Sequence, residues 1–191
     1  MELNTIFLIG PQGSGKGTQA KILAEKLNFF YWEMGSILRL TAKEETMLGK
    51  KTKTLIDSGV LLSDDDLYEV VRSKLIELPK AQGVIFDGIP RRIGQAEFLI
   101  AYLKSQGRTN FTTLFIDLPK EHSLNRLLKR AKVENRADDT LEKIEFRLKQ
   151  YYQDTLPVLE FLKQSTRFLE IDGLPPVSQV TEDIFKALDI K

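Results

Sequence analysis

The sequence predicts an α/β fold with a parallel sheet, and two observations carry that prediction. Five short apolar runs of strand length alternate along the chain with segments of helical periodicity. This alternation favours crossover connections, in which a helix returns the chain to the start of a parallel neighbouring strand. In such sheets ligands bind beyond the carboxyl ends of the strands. The predicted strands are 6–9, 28–32, 83–86, 113–116 and 167–171.

The helices are predicted from apolar spacing and from their terminal residues. Gly35 is expected to separate the second strand from the next helical segment. Ser63 is a good N-cap before three aspartates, and the apolar stripe that follows extends to Leu78, with Pro79 ending the helix. Pro157 marks a kink or break in a later helix. The other helical segments are expected at 19–27, 37–40, 50–58, 96–103, 119–128, 141–151 and 177–188.

Composition limits the classes of protein that the chain can represent. Its 191 residues predict one domain, and its net charge of +1 argues against a nucleic-acid-binding surface or a polybasic membrane anchor. The chain has no cysteine, which excludes disulfides, thiolate nucleophiles and cysteine zinc sites. No signal segment or membrane-spanning apolar run is apparent. We therefore expect a cytoplasmic protein that binds neither membranes nor nucleic acids, and we further expect it to be a monomer.

The loop at 10–18 is the strongest local signal in the chain. It reads Gly-Pro-Gln-Gly-Ser-Gly-Lys-Gly-Thr, between the first predicted strand and a helix. Glycines let main-chain N–H groups surround a phosphate, the helix N-terminus adds partial positive charge, and Lys16 can reach the terminal phosphates. Gly17 occupies the position where Ser or Thr usually follows the lysine. The plainer alternative, a glycine-rich turn with an exposed lysine, does not explain the flanking strand and helix.

Charged residues near the other strand ends fit phosphoryl transfer. Asp87 directly follows a buried run, which is typical of a carboxylate that holds Mg²⁺ directly or through water. Arginines stabilise transferring phosphoryl groups because they grip phosphate oxygens bidentately and stay charged. His122, the one histidine, is interpreted as a surface or capping residue. Six arginines lie at loop edges or on helices beside them: Arg39, Arg91, Arg126, Arg130, Arg136 and Arg147.

The sequence offers no clear general base, and this favours a phosphate as the acceptor. A kinase that acts on an alcohol needs an aspartate or histidine placed at the hydroxyl. A phosphate acceptor, with a second pKa near ~6, is already deprotonated at neutral pH and needs cations instead. The chain is rich in arginines and poor in candidates for the base.

Four motifs together resemble the adenylate kinases, within the nucleoside monophosphate kinases. They are the loop at 10–19, Asp-Gly-Ile-Pro-Arg at 87–91 with Gln95, Arg-Leu-Leu-Lys-Arg at 126–130, and Asn-Arg-Ala-Asp-Asp at 135–139 with Arg147. The match covers nearly the whole chain in order. It implies a three-layer P-loop NTPase fold with a five-stranded parallel sheet in the order 2-3-1-4-5. It also implies one domain over 1–191, with a monophosphate-binding segment at about 34–63 and a short lid at about 126–138.

The resemblance further implies an enzyme that transfers phosphoryl from ATP to AMP, giving two ADP, with Mg²⁺. The catalytic residues would be Lys16, Arg91, Arg130, Arg136 and Arg147, with Asp87 reaching the metal through water. The ATP-binding residues would be Gly13, Ser14, Gly15, Lys16, Gly17, Thr18, Arg126 and Arg130. The AMP-binding residues would be Met34, Arg39, Val60, Leu61, Leu62, Gly88, Ile89, Pro90, Arg91, Gln95, Arg136 and Arg147.

Departures from the family pattern keep alternatives open. The usual Ser-Thr-Gly-Asp is Glu33-Met34-Gly35-Ser36 here, which removes a hydroxyl beside the acceptor base and a charge near the phosphates. A relaxed acceptor preference, a preference for UMP or CMP, and a non-catalytic nucleotide-binding relative are the alternatives. A kinase of a hydroxylated metabolite is disfavoured by the missing base. A GTPase switch is disfavoured because no Asn-Lys-x-Asp motif occurs.

Overall fold

The computed structural model describes residues 4–57, 63–79, 81–134 and 140–190 and contains a parallel sheet flanked by helices. Within this part the strands are β1 (Thr5–Ile9), β2 (Phe30–Glu33), β3 (Val84–Asp87), β4 (Phe111–Asp117) and β5 (Arg167–Asp172). The helices are α1 (Lys16–Leu27), α2 (Met34–Thr41), α3 (Met47–Asp57), α4 (Asp64–Leu75), α5 (Ile93–Ser105), α6 (Lys120–Glu134), α7 (Leu141–Gln150), α8 (Val158–Ser165) and α9 (Val177–Ala187). A π-helical turn, Tyr151–Thr155, lies between α7 and α8.

The strand order is β2-β3-β1-β4-β5, and every neighbouring pair is parallel. The predicted fold class and strand order are confirmed. Leu8 of β1 lies opposite Asp87 of β3, and Ile9 lies opposite Phe115 of β4. The loop that follows β1 therefore leaves the middle of the sheet, between the carboxyl ends of its two neighbours. The order of the sheet reverses there, which is where open α/β sheets bind ligands.

The two faces of β1 build two separate parts of the core. Phe7 and Ile9 belong to an apolar cluster with side chains of α4, α5 and α8, whereas Ile6 and Leu8 belong to a cluster with α1 and α9. Alternate residues of a strand point to opposite faces, so one continuous apolar run supplies both layers. Phe7 stacks on Phe86 of β3, with ring centroids 5.6 Å apart. These two core layers hold the sheet in place, and with it the carboxyl ends of β1 and β3, where the loops at 10–15 and 88–92 begin.

The element boundaries differ from the prediction at several points. Gly35 lies inside α2 rather than breaking the chain before it, because α2 begins directly at Met34. α4 ends at Leu75 rather than at Pro79, and Leu78 reaches the core from the turn beyond the helix. The Ser63 N-cap is confirmed, since its hydroxyl accepts a hydrogen bond from the main-chain N–H of Asp66. Pro157 stands immediately before α8, at the predicted break.

Across the described residues no helix is both long and apolar enough to cross a membrane.

Candidate active site

The loop between β1 and α1 is shaped to receive an anion. Gly13 and Gly15 have φ angles of +85° and +94°, in the left-handed region that favours glycine. A Cβ on Gly13 would also approach the main-chain oxygen of Ser123 to 3.0 Å, so α6 packs closely against the loop. Among the described residues no side chain caps the start of α1, and its first turn carries no acidic residue. The partial positive charge of this helix N-terminus therefore faces the loop without a competing side-chain cap or carboxylate from this part of the chain, which favours a bound phosphate.

Lys16 begins α1 and turns back over the loop. Its Nζ donates hydrogen bonds to the main-chain oxygens of Gly10, at 2.7 Å, and Pro11, at 2.8 Å. These carbonyls hold the ammonium group above the loop, close to the helix N-terminus. The lysine is therefore placed as a point charge where a phosphate held by the loop would lie.

Asp87 ends β3 beside the start of α1. One of its carboxylate oxygens, Oδ2, accepts a hydrogen bond from the hydroxyl of Tyr31 at 3.0 Å. A Cβ placed on Gly17 would lie 3.5 Å from the Tyr31 hydroxyl and 3.7 Å from Asp87 Oδ2, so Gly17 faces this pair directly. Burial raises the pKa of Tyr31 well above its usual range, and the Asp87 charge raises it further. The carboxylate and the phenol thus form one unit at the rim of the loop.

Arg91 and Gln95 follow β3 in the chain, Arg91 in the turn after the strand and Gln95 in the first turn of α5. The main-chain N–H of Arg91 donates to Gln95 Oε1 at 2.8 Å, and Arg91 Nε donates to the Gly88 oxygen at 2.9 Å. Gln95 Nε2 donates to Oδ1 of Asp64 at 2.7 Å. The predicted acceptor residues Gly88, Arg91 and Gln95 are therefore connected by direct hydrogen bonds, and Asp64 of α4 joins them.

The electrostatics around Arg91 suit a group that binds a highly charged anion. Although the residue is exposed overall, protein atoms surround its guanidinium closely enough that burial lowers its pKa. Asp87 raises that pKa and the like charge of Arg147, on α7, lowers it. Arginine stays protonated under these shifts, so two guanidinium groups repel each other near the end of β3. An anion bound between them would relieve that repulsion.

Arg39 lies on α2 in a short polar network. Its Nη2 donates to the Ser36 hydroxyl at 2.9 Å and lies 3.9 Å from Glu33 Oε1. The Ser36 hydroxyl donates in turn to Glu33 Oε2 at 2.7 Å. Glu33 and Ser36 are two of the family departures, and together they form a small network with the arginine. A groove of about 730 Å³ opens beside them, lined by residues of α2, α3 and the turn that joins the two helices.

Met34 and the segment after β3 form the apolar side of this region. Met34 is 4% exposed, and its Sδ accepts a weak hydrogen bond from Trp32 Nε1–H at 3.5 Å. A Cβ on Gly88 would meet Met34 Cβ at 3.4 Å, so the two residues are in contact. Ile89 and Pro90 are buried. Met34 therefore acts as a core residue as well as a neighbour of the predicted acceptor site.

Arg126 lies on α6, the helix that packs against Gly13 of the phosphate loop. Its Nη2 donates to the main-chain oxygen of Leu174 at 3.0 Å, in the turn between β5 and α9. Leu174 in this turn and Val177, the first residue of α9, expose 43% and 52% of their surface, so apolar surface is exposed at the turn that the guanidinium contacts. A flat base fits between an arginine and such a surface. This turn is a candidate part of the donor site.

Several predicted residues lie outside what the structure describes. Arg130 belongs to α6, but its side chain is outside the described set, and the same holds for the whole of Arg136, Val60, Leu61 and Leu62. The roles expected of these five residues stay predictions, as do the binding and catalytic roles of the other predicted site residues. His122 is exposed in the first turn of α6, as the sequence indicated.

The sequence analysis did not predict the contacts that four residues of the site make: Tyr31, Glu33, Asp64 and Leu174. Glu33 was noted only as a departure, and Asp64 only as one of three acidic residues in the first turn of a helix. Tyr31 contacts a residue 56 positions away, and Asp64 contacts one 31 positions away. No local pattern reports pairings over that distance.

The site combines a glycine loop before a helix that no described side chain caps, a carboxylate at the end of the neighbouring strand β3, and two guanidinium groups near that strand end. This combination defines a phosphotransferase of the P-loop class. Comparison with known proteins narrows this class. The sequence profile described as adenylate kinase matches residues 8–167. The chain belongs to the adenylate kinase family.

Individual relatives agree over nearly the full length. An adenylate kinase of Bacteroides fragilis is 40% identical over 184 residues, which cover 96% of this chain and 97% of the relative. One of Phocaeicola vulgatus is 38% identical over 184 residues, with the same coverage. One of Leptospira biflexa is 37% identical over 186 residues, which cover 97% of this chain and all of the relative. The predictions of the family and of a phosphotransferase enzyme are confirmed.

Proposed function

We propose that this chain catalyses reversible phosphoryl transfer from ATP to AMP, giving two molecules of ADP. The observation that carries the proposal is that two sets of site residues lie at the adjacent ends of β1 and β3. The loop with Lys16 follows β1. Asp87 is the last residue of β3, the strand that is hydrogen-bonded to β1, and Arg91 and Gln95 come after β3 in the chain. Two nucleotides that bind at adjacent strand ends meet through their phosphates.

Each set supplies a different part of the chemistry. Lys16 and the loop N–H groups bind the phosphates of ATP, and Arg126 contacts the donor base near Leu174. Arg39 and Arg91 bind the phosphate of AMP, which displaces the polar network that now holds Arg39. An AMP phosphate is ionised at neutral pH and attacks without losing a proton to a base. Arg91 and Arg147, with Arg130 and Arg136 from the lid, stabilise the charge on the transferring group.

Enzymes of this family generally act on a metal–nucleotide complex, and we propose Mg²⁺ as the metal. Within the described part of the chain no three His, Cys, Asp or Glu residues form a set that could hold a metal ion. This fits a small hard cation that keeps several waters and is held mainly by phosphates. Asp87 is the carboxylate placed to hold one of those waters. When bound, the metal neutralises charge on the phosphates.

We propose one domain over 1–191 with an acceptor segment at about 34–63 and a lid at about 126–138. We also propose a monomer in the cytoplasm that uses ATP and AMP as its small-molecule substrates. Nucleic acids and membranes are not among its proposed partners, which agrees with the net charge of +1.

The test is product formation with purified protein. Equimolar ATP and AMP with Mg²⁺ should yield two ADP for each AMP consumed, and ADP alone should yield ATP and AMP. Lys16→Ala should lose most of this turnover while it stays folded, because water cannot replace the ammonium at the phosphates. Lys21→Ala, an exposed lysine on the same helix, is the matched control and should keep it. ATP hydrolysis without AMP consumption, or binding of both nucleotides without turnover, would refute the proposal.

A further inference from the structure

The side-chain amide of Gln95 is held by two partners of opposite hydrogen-bonding kind. Oε1 accepts from the main-chain N–H of Arg91, and Nε2 donates to the carboxylate of Asp64. A main-chain N–H can only donate and a carboxylate can only accept. Exchanging the two ends of the amide would set donor against donor at Arg91 and acceptor against acceptor at Asp64. The orientation of the Gln95 amide is therefore fixed.

Asp64 is itself held in place. Its Oδ1 also accepts from Arg92 Nη1 at 3.3 Å, so one oxygen receives two donors. Asp64 is the first residue of α4, and Arg92 is the N-cap of α5. One turn further along the same two helices Tyr68 stacks on Phe98, with ring centroids 3.9 Å apart. Helix packing and the Arg92 contact thus keep the carboxylate against Gln95.

A fixed amide reads the edge of a purine. Oε1 keeps a second lone pair and Nε2 keeps a second N–H, which leaves one acceptor and one donor for a ligand. Adenine offers an N6 amino donor and an N1 acceptor, whereas hypoxanthine offers an O6 acceptor and an N1–H donor. When phosphate and ribose fix the pose of the base, one amide orientation complements only one of these edges.

We propose that Asp64 is a positioning residue that makes the acceptor site select a 6-aminopurine monophosphate over a 6-oxopurine monophosphate. It does so by fixing the orientation of the Gln95 amide. This inference rests on the proposed function, in which Gln95 contacts the base of AMP. Asp64 need not touch the nucleotide, and its effect should appear in the choice between acceptors rather than in the binding of ATP.

The test compares AMP with inosine 5′-monophosphate, which differs from AMP only at position 6 and N1 of the base. In Asp64→Ala the ratio of kcat/KM for AMP to that for inosine monophosphate should fall about tenfold, the effect of one hydrogen-bond preference. Asp64→Asn replaces a group that can only accept by an amide that can also donate to a flipped Gln95, so it should lower the ratio as well. The KM for ATP should stay unchanged in both variants.

Asp65→Ala is the matched control, because Asp65 is an exposed carboxylate in the same first turn of α4. It should change the ratio by no more than about twofold, as surface substitutions do. A general distortion of the site would slow both acceptors alike and leave the ratio unchanged. If Asp64→Ala does not fold, Asp64→Ser, whose hydroxyl tolerates either amide orientation, takes its place.

An unchanged ratio in a folded Asp64 variant would overturn the inference while the proposed function stands. An equal fall in Asp65→Ala would also overturn it. A wild-type protein that does not phosphorylate AMP would overturn the proposed function instead.

Discussion

The hydroxyl of Tyr31 donates a hydrogen bond to Asp87 Oδ2 across neighbouring parallel strands, at 3.0 Å. Gly17, directly after the loop lysine, faces both groups. A side-chain hydroxyl usually occupies that loop position in phosphate loops of this kind. Here a phenol from the adjacent strand lies close to it and orients the carboxylate.

We predict that Tyr31→Phe raises the Mg²⁺ concentration needed for half-maximal activity by roughly tenfold. This is the low end of the loss in metal affinity that follows when a residue hydrogen-bonded to a metal ligand is removed. The reason is that Asp87 would lose the group that orients one of its oxygens. The measurement is initial rate against Mg²⁺ at saturating nucleotides. Tyr68→Phe, on α4, is the control and should not shift the curve. A Tyr31→Phe enzyme with the wild-type Mg²⁺ dependence would show that the phenol does not support the metal site.

The raised pKa of Tyr31 should also make the stability of the fold depend on pH in the alkaline range. Burial, then the charge and hydrogen bond of Asp87, raise the pKa of Tyr31. An unfolded tyrosine loses its proton near pH ~10, and the folded one holds it to higher pH. Between these values the folded state binds more protons, so its stability falls as pH rises above about 10. Burial raises the pKa of Tyr151 as well, so part of the loss remains in Tyr31→Phe.

The measurement is the midpoint of thermal unfolding between pH 8 and pH 11. Tyr31→Phe should flatten the alkaline decline, and Tyr102→Phe should leave it as in the wild type. A decline of equal steepness in the wild type and Tyr31→Phe would contradict the prediction.

Arg147 should act on the transition state more than on binding. Its charge lies near Arg91 and would meet the transferring phosphoryl group. Arginines in that role contribute roughly 10³–10⁵ in rate. Arg147→Ala should therefore lower kcat by about 10³ or more while KM for either nucleotide changes much less. Lys149→Ala removes a cation from the same last turn of α7 and should do neither. A rise in KM alone would assign Arg147 to ground-state binding.

Met34 is predicted to contribute to stability as well as to the acceptor site. Met34→Thr removes the acceptor for Trp32 Nε1–H and shortens a side chain that is 4% exposed. The free energy of unfolding should fall by about 1–3 kcal/mol, as for other shortened core residues. Met47→Thr, at a methionine that is 90% exposed, should change it by less than about 0.5 kcal/mol. Urea unfolding of both variants checks this, and equal midpoints would contradict it.

The sequence predicted the sheet and the phosphate loop well because their signals are local or carried by motifs. Continuous apolar runs mark strands buried on both faces, and the loop glycines are needed where φ is positive. α4 was predicted three residues too long because Leu78 continues the apolar spacing and still packs on the core from a turn. Apolar spacing reports burial and does not report whether the last residue is helical.

The polar contacts of the site were harder to predict. Ser63 could be identified as a cap because its partner is three residues away. Gln95 could be matched to the family, but its partner Asp64 lies on another helix and already had a sufficient local role at a helix N-terminus. Tyr31 lay in an aromatic run whose strand was predicted, and nothing in that run indicates that its hydroxyl meets Asp87. Such pairs depend on strand order and helix packing.

The measurement that tests the central claim most directly is kcat/KM for a panel of monophosphate acceptors with ATP in excess. AMP, GMP, CMP and UMP are compared at equal Mg²⁺, with ADP formation from AMP followed directly. We predict that AMP is the best acceptor, with two ADP formed for each AMP consumed. A higher kcat/KM for CMP or UMP than for AMP, or no transfer to any monophosphate, would contradict the account.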